Sequence, residues 1–156
     1  MSDECTGNLK KQFIKKGGFY MNNEEVKEWF DIADRDFDSA KILNEAVRKH
    51  YEIICYHCAQ AVEKYLKGYL IFNDIVPKKT HDLASLNIAC REIDPDFQNI
   101  YDECGFLTTY ATDIRYPNQY DVTEAEIKLA FAAVEKVKNF KPILDIRTVV
   151  NNEKVA

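Results

Sequence analysis

The stretch TDIRYPNQYDVT, residues 112–123, concentrates groups able to hold an anion. Arg115 carries a permanent charge on a planar fork that matches phosphate in bidentate fashion. Asp113 stands where it can orient that fork, Tyr116 where it can stack, and Pro117 fixes the chain direction. A cation near a helix C-terminus is also favoured by the helix dipole alone, so an ordinary structural role is open to this arginine too. A second group of candidates lies in AQAVEKYLKGYL, where Glu63, Lys64 and Lys67 form the polar side of a strongly apolar segment. Glu63 and Lys67 are spaced i to i+4 in the favourable order, which predicts a surface ion pair worth roughly a few tenths of a kcal/mol.

His57 sits inside CYHC, residues 55–58, a string that invites a zinc reading. On a helix, Cys55 and Cys58 share a face while His57 points elsewhere, and no second ligand pair follows at a finger-like distance. Core cysteines beside a partly exposed histidine are the better reading, and neither a metal nor another cofactor is expected. His81 and Asp82 mark a helix start, where a neutral imidazole can pack and a carboxylate favours the positive dipole end.

These groups need a scaffold, and the composition favours helices. The chain has 156 residues, 46 % hydrophobic and 30 % charged, with 4 Pro and 5 Gly, enough apolar content for the core of one all-α domain. A formal charge of −5 argues against coating nucleic acid through bulk positive charge, though not against a local basic pocket. The 5 cysteines are odd in number and lie mostly in helix-like segments, which reads as reduced and cytoplasmic. No apolar run approaches the roughly 20 residues of a membrane span, so no membrane association is expected.

Residues 1–22 lack a clear period and read as a flexible leader, with Met21 as open a start as Met1. From about 23 to 48, Val26, Phe30, Ala33, Phe37, Ala40, Leu43 and Val47 recur at helical steps, with Asn23 as cap. Asp31, Asp34, Asp36 and Asp38 then form an acidic outer face that reads as solvated. A second helix spans about 51–72, and a third, capped by Thr80, spans 81–92 and buries Leu83, Leu86, Ile88 and Cys90. Asp94 and Pro95 open a fourth, which buries Phe97, Ile100, Tyr101, Cys104, Leu107 and Tyr110 and ends near Arg115, ahead of Pro117. Thr123 and Glu126 form a capping box for a last helix ending at about Pro142. The expected architecture is an antiparallel up-and-down bundle of about five helices over 23–145, followed by a tail over 146–156.

The series DFDSAKILNEA, CAQAVEKYLKGYLI, KKTHDLASL and YATDIRYPNQYDVTEAEIKLAFAAVEKV, in that order, resembles the HEPN family, the higher eukaryotes and prokaryotes nucleotide-binding domains. The resemblance covers about 23–145 and implies a helical bundle that commonly forms a homodimer. It also implies a partner, since many bacterial members are paired with a minimal nucleotidyltransferase in toxin–antitoxin-like systems. Active members cut RNA without metal, through an Arg followed after four to six residues by a His. Here the Arg is Arg115, but Tyr116, Pro117, Asn118, Gln119, Tyr120, Asp121 and Val122 supply no histidine. A proton-transfer group working near neutral pH is missing from that motif, and a tyrosine is a poor replacement.

Arg115, Asp113, Tyr116 and Tyr120 therefore read as a binding or partner-contact cluster for nucleotide, RNA or protein, with Lys64 and Lys67 adding local positive charge. The proposed groove lies between the end of the fourth helix and the polar face of the second. The alternative is an active metal-independent endoribonuclease with Arg115 as a catalytic residue, and a third reading is a purely architectural dimerisation module. Homodimerisation also fits the 9 Tyr and 9 Phe, more than one small bundle readily hides.

Overall fold

The apolar steps from Val26 to Ala40 form the buried stripe of α1 (Phe19–Asn44) in the computed structural model, which describes residues 19–112 and 121–152. This helix starts ahead of Asn23, which lies buried inside it and is not its cap. It also stops short of 48, so Val47 falls in the following turn and is exposed. α2 (Tyr51–Phe72) is the centre of the fold, in contact with every other helix. Its Ile54, Cys55, Cys58, Val62, Tyr65 and Leu66 are fully buried. Close approach of α1 to α2 depends on Gly68, where a Cβ would stand 2.7 Å from the Phe30 ring.

α2 ends in a left-handed turn at Asp74, φ 59°, that sends Ile75 N–H back to Leu70 O at 2.9 Å. Asn22 ties the start of α1 to that end by donating to Ile71 O at 2.7 Å and Asp74 Oδ1 at 3.0 Å. α3 (Leu83–Arg91) is capped by Asp82, which accepts from Ser85 N at 3.2 Å. Thr80 instead accepts from Asp82 N at 3.0 Å, so the helix starts later than its sequence suggests. Leu83, Leu86, Asn87 and Cys90 take the inward face at three- and four-residue steps, which leaves Ile88 exposed.

Asp94 and Pro95 open a 3₁₀ turn (Pro95–Ile100) that leads into α4 (Tyr101–Thr112), with Tyr101 only half-buried. α5 (Glu124–Lys138) has the expected capping box, Glu126 Oε2 accepting from Thr123 N at 2.6 Å. A sixth helix, α6 (Lys141–Asn152), follows where the last helix was expected to end at about Pro142, and it takes in residues 146–152 of the expected tail. Proline is tolerated in a first helical turn because those N–H groups have no partner there anyway, so Pro142 begins α6. Ile143, Ile146, Val149 and Val150 bury the inner face of α6, and α6 packs on α1 and α2. The described residues form an all-α helical bundle without strands.

Candidate functional site

His57, Gln60, Glu63, Lys64 and Lys67 fall within about 120° of the circumference of α2 at 100° per residue, opposite its apolar stripe. Two similar units are built on this strip. In the first, Asp36 of α1 receives His57 Nδ1 on Oδ1 at 3.1 Å and the Lys64 ammonium on Oδ2. In the second, Glu63 receives His81 Nδ1 on Oε2 at 2.9 Å and Lys67 Nζ on Oε1 at 2.6 Å. Gln60 joins them, donating to Glu63 Oε2 at 3.2 Å while its own oxygen accepts from Lys64 Nζ at 3.2 Å. The result is one polar chain from α1, along α2, to the segment ahead of α3.

The pair expected at the surface is mostly shielded from water. Only 11 % of the Lys67 side chain and 5 % of the Glu63 side chain are exposed. The reason is what covers them. The Trp29 ring of α1 lies 6.0 Å from Lys67 Nζ, and His81 closes over Glu63. His81 is itself 47 % exposed, so its far edge faces solvent while its near edge is anchored. A carboxylate offers only lone pairs, so each anchored Nδ1 carries the hydrogen, and in the neutral imidazole Nε2 is left as an acceptor. Each lysine sits against a carboxylate, so the local positive charge expected of Lys64 and Lys67 is offset where it arises.

The acidic face of α1 is not uniformly solvated. Asp38 is exposed and Asp31 makes a partly exposed pair with Lys27 at 2.8 Å, but Asp34 and Asp36 are both engaged. Asp34 takes a fork from Arg147 of α6 at 2.8 and 3.0 Å, a hydrogen bond from the Tyr65 hydroxyl, and Lys138 Nζ at 3.6 Å. Burial alone pushes the Asp34 carboxyl up, but hydrogen bonds from Arg147 and Tyr65 and the charges of Arg147 and Lys138 hold it below its ordinary value. The guanidinium also lies 5.4 Å from the Phe30 ring and 5.6 Å from the Tyr65 ring. Sequence reasoning missed Asp34, Asp36, Gln60 and Arg147.

Cys55 and Cys58 are buried in the core, and burial pushes the Cys55 thiol up to about 12 and the Cys58 thiol higher still. Thiols held protonated in this way are poor nucleophiles and poor metal ligands. Among the described residues no group of three or more His, Cys, Asp or Glu is placed to hold a metal ion, and no helix is long and apolar enough to cross a membrane. Asp113, Arg115, Tyr116 and Tyr120 lie outside the described residues. The structure therefore brings together Glu63, Lys64 and Lys67 of the expected site, with His57 and His81 added to them.

The described residues thus form an all-α bundle whose central helix carries this polar strip, and the sequence supplies the family. The chain belongs to the HEPN domain family, whose family model matches residues 26–144. No curated protein and no solved structure matches the chain.

Proposed function

We propose that this HEPN domain is a nucleotide- or RNA-binding or partner-binding module, homodimeric and cytoplasmic, of a nucleotidyltransferase-associated, toxin–antitoxin-like pair. The single observation that carries this reading is the polar chain on α2. Placing charges where water is scarce is unfavourable unless they are paired, and a bundle with this much apolar core gains little stability from such pairs. Their arrangement on one continuous strip, with two imidazoles at its edges, favours a surface that meets something else. Arg115, with Asp113, Tyr116 and Tyr120, is the proposed anchor for phosphate or for a partner carboxylate, and the missing histidine leaves it a binding group.

The test is a titration of labelled oligoribonucleotide against wild-type protein and Arg115→Ala. Loss of one charge-assisted contact should weaken binding about tenfold, and the wild-type protein itself should leave the RNA uncut at high concentration. Equal affinity for the two proteins would leave Arg115 a structural residue and favour the purely architectural reading. The second reading, a metal-independent endoribonuclease, has one observation in its favour: His57 and His81 are oriented by carboxylates in the way general bases are. Cleavage in the presence of chelator, abolished by Arg115→Ala, would select it.

The homodimer is the other half of the proposal. Sedimentation at about tens of micromolar should give twice the chain mass if the interface is of standard size, and a monomer there counts against it.

A further inference from the structure

We propose that His57 and His81 make the polar strip of α2 a proton-coupled site for phosphoester anions: their imidazolium Nε2–H groups hold the ligand, and its binding draws protons from solution. The inference deepens the proposed function and rests on the reading that this face meets a phosphorylated ligand. It begins with charge. Asp36 and Glu63 bring two negative charges and Lys64 and Lys67 two positive ones, each lysine against its own carboxylate, so the strip is neutral while the imidazoles are neutral. An approaching anion then finds no net attraction from the lysines.

The imidazoles are the variable part. Each carboxylate receives its lysine on one oxygen and its histidine on the other, so both cations fit at once and protonation of the ring displaces nothing. Because Nδ1 already donates to the carboxylate, the proton gained is the one on Nε2. Neither Nε2 has a hydrogen-bond partner among the described residues. A neutral ring presents a lone pair there, which repels an anion. A charged ring presents a donor and a positive charge, so ligand binding and proton uptake are linked.

The other groups around His57 are Asp36, Lys64 and the adjacent Tyr56 ring, and around His81 they are Glu63, Lys67 and the helix-capping Asp82. Carboxylates, ammonium groups and phenols ordinarily keep their charge state between about pH 5.5 and 8, whereas imidazole changes in that window. Along the axis of α2, His57 and Glu63, the residue that anchors His81, are separated by about 9 Å. That spacing suits a ligand with more than one phosphate better than a single ion.

The test is calorimetric titration of the full chain with a short oligoribonucleotide, with adenosine triphosphate and with inorganic phosphate. It is run at about pH 5.5, 6.5 and 8, at constant ionic strength, in buffers of different ionisation enthalpy. For an oligoribonucleotide without a terminal phosphate, whose phosphodiesters keep their charge throughout this range, the expected result is binding at least about tenfold tighter at the lowest pH than at the highest. Net proton uptake should fall in His57→Gln and in His81→Gln and disappear in the double variant. Oligoribonucleotide or nucleotide should bind more tightly than inorganic phosphate. With the oligoribonucleotide, binding of equal strength at every pH, or uptake that survives in the double variant, overturns this inference alone. No binding of any probe at any pH overturns it together with the proposed nucleotide- or RNA-binding function. Imidazole NMR titrations of wild-type protein, with and without oligoribonucleotide, read the same linkage without any substitution; midpoints that ligand does not raise also overturn it.

Discussion

Glu63→Ala should lower stability by about 3 kcal/mol, read as a fall in the urea midpoint with an unchanged slope. The size comes from what is left behind. Glu63 is 5 % exposed and accepts from Lys67, His81 and Gln60, and its removal leaves an ammonium that is 11 % exposed without its counter-charge. Lys67→Met should be milder, because it deletes the charge, keeps the apolar stem against Trp29, and leaves Glu63 its contacts with Gln60 and His81. The double variant Glu63→Gln with Lys67→Met should recover most of the loss, since no buried charge is then orphaned. If Glu63→Ala proves no worse than Lys67→Met, the pair is not shielded from water in solution.

How much of this could be seen in the sequence depends on how each signal is encoded. The inward faces of α1, α2 and α5 repeat at helical steps, and those helices were legible. Periodicity on one helix says nothing about what covers its polar side. Glu63 and Lys67 therefore read as a surface pair, and only the packing of Trp29 and His81 makes them a buried one. Asp34 and Asp36 did leave a trace. They lie about 80° to either side of the centre of the apolar stripe of α1, against about 120–140° for Asp31 and Asp38. Flanking positions like these are where a neighbouring helix can reach, and α2 and α6 both do.

Arg147 was hidden for a different reason: a proline read as a terminator stood between it and the recognised helices. The steps Ile143, Ile146, Val149 and Val150 carry the same periodic signal as α1, so α6 was available to a reading that let Pro142 begin a helix. The phosphate anchor at Arg115 is at the other extreme. Its chemistry is plain in the residue types and its motif, while its position relative to the α2 strip is a matter of tertiary packing that local sequence does not encode.

Asp34→Ala should cost about 2 kcal/mol and should do so in a pH-dependent way. Asp34 is the hub that fixes α6 to α1 and α2, and without it Arg147, 22 % exposed between Phe30 and Tyr65, has no counter-charge. Arg147→Met should be less damaging, because Asp34 keeps the Tyr65 hydroxyl and Lys138. The sign of the pH effect follows from the direction of the shift. The folded carboxyl titrates below its ordinary value of 3.8, so its contribution is complete well above that value and is lost as the pH falls through the folded pKa. The stability difference between wild type and Asp34→Ala should therefore be constant near neutrality and shrink only below about pH 4. Urea melts at a series of pH values measure it directly, and a difference that grows on acidification would mean that Asp34 is not held as the anionic partner of Arg147.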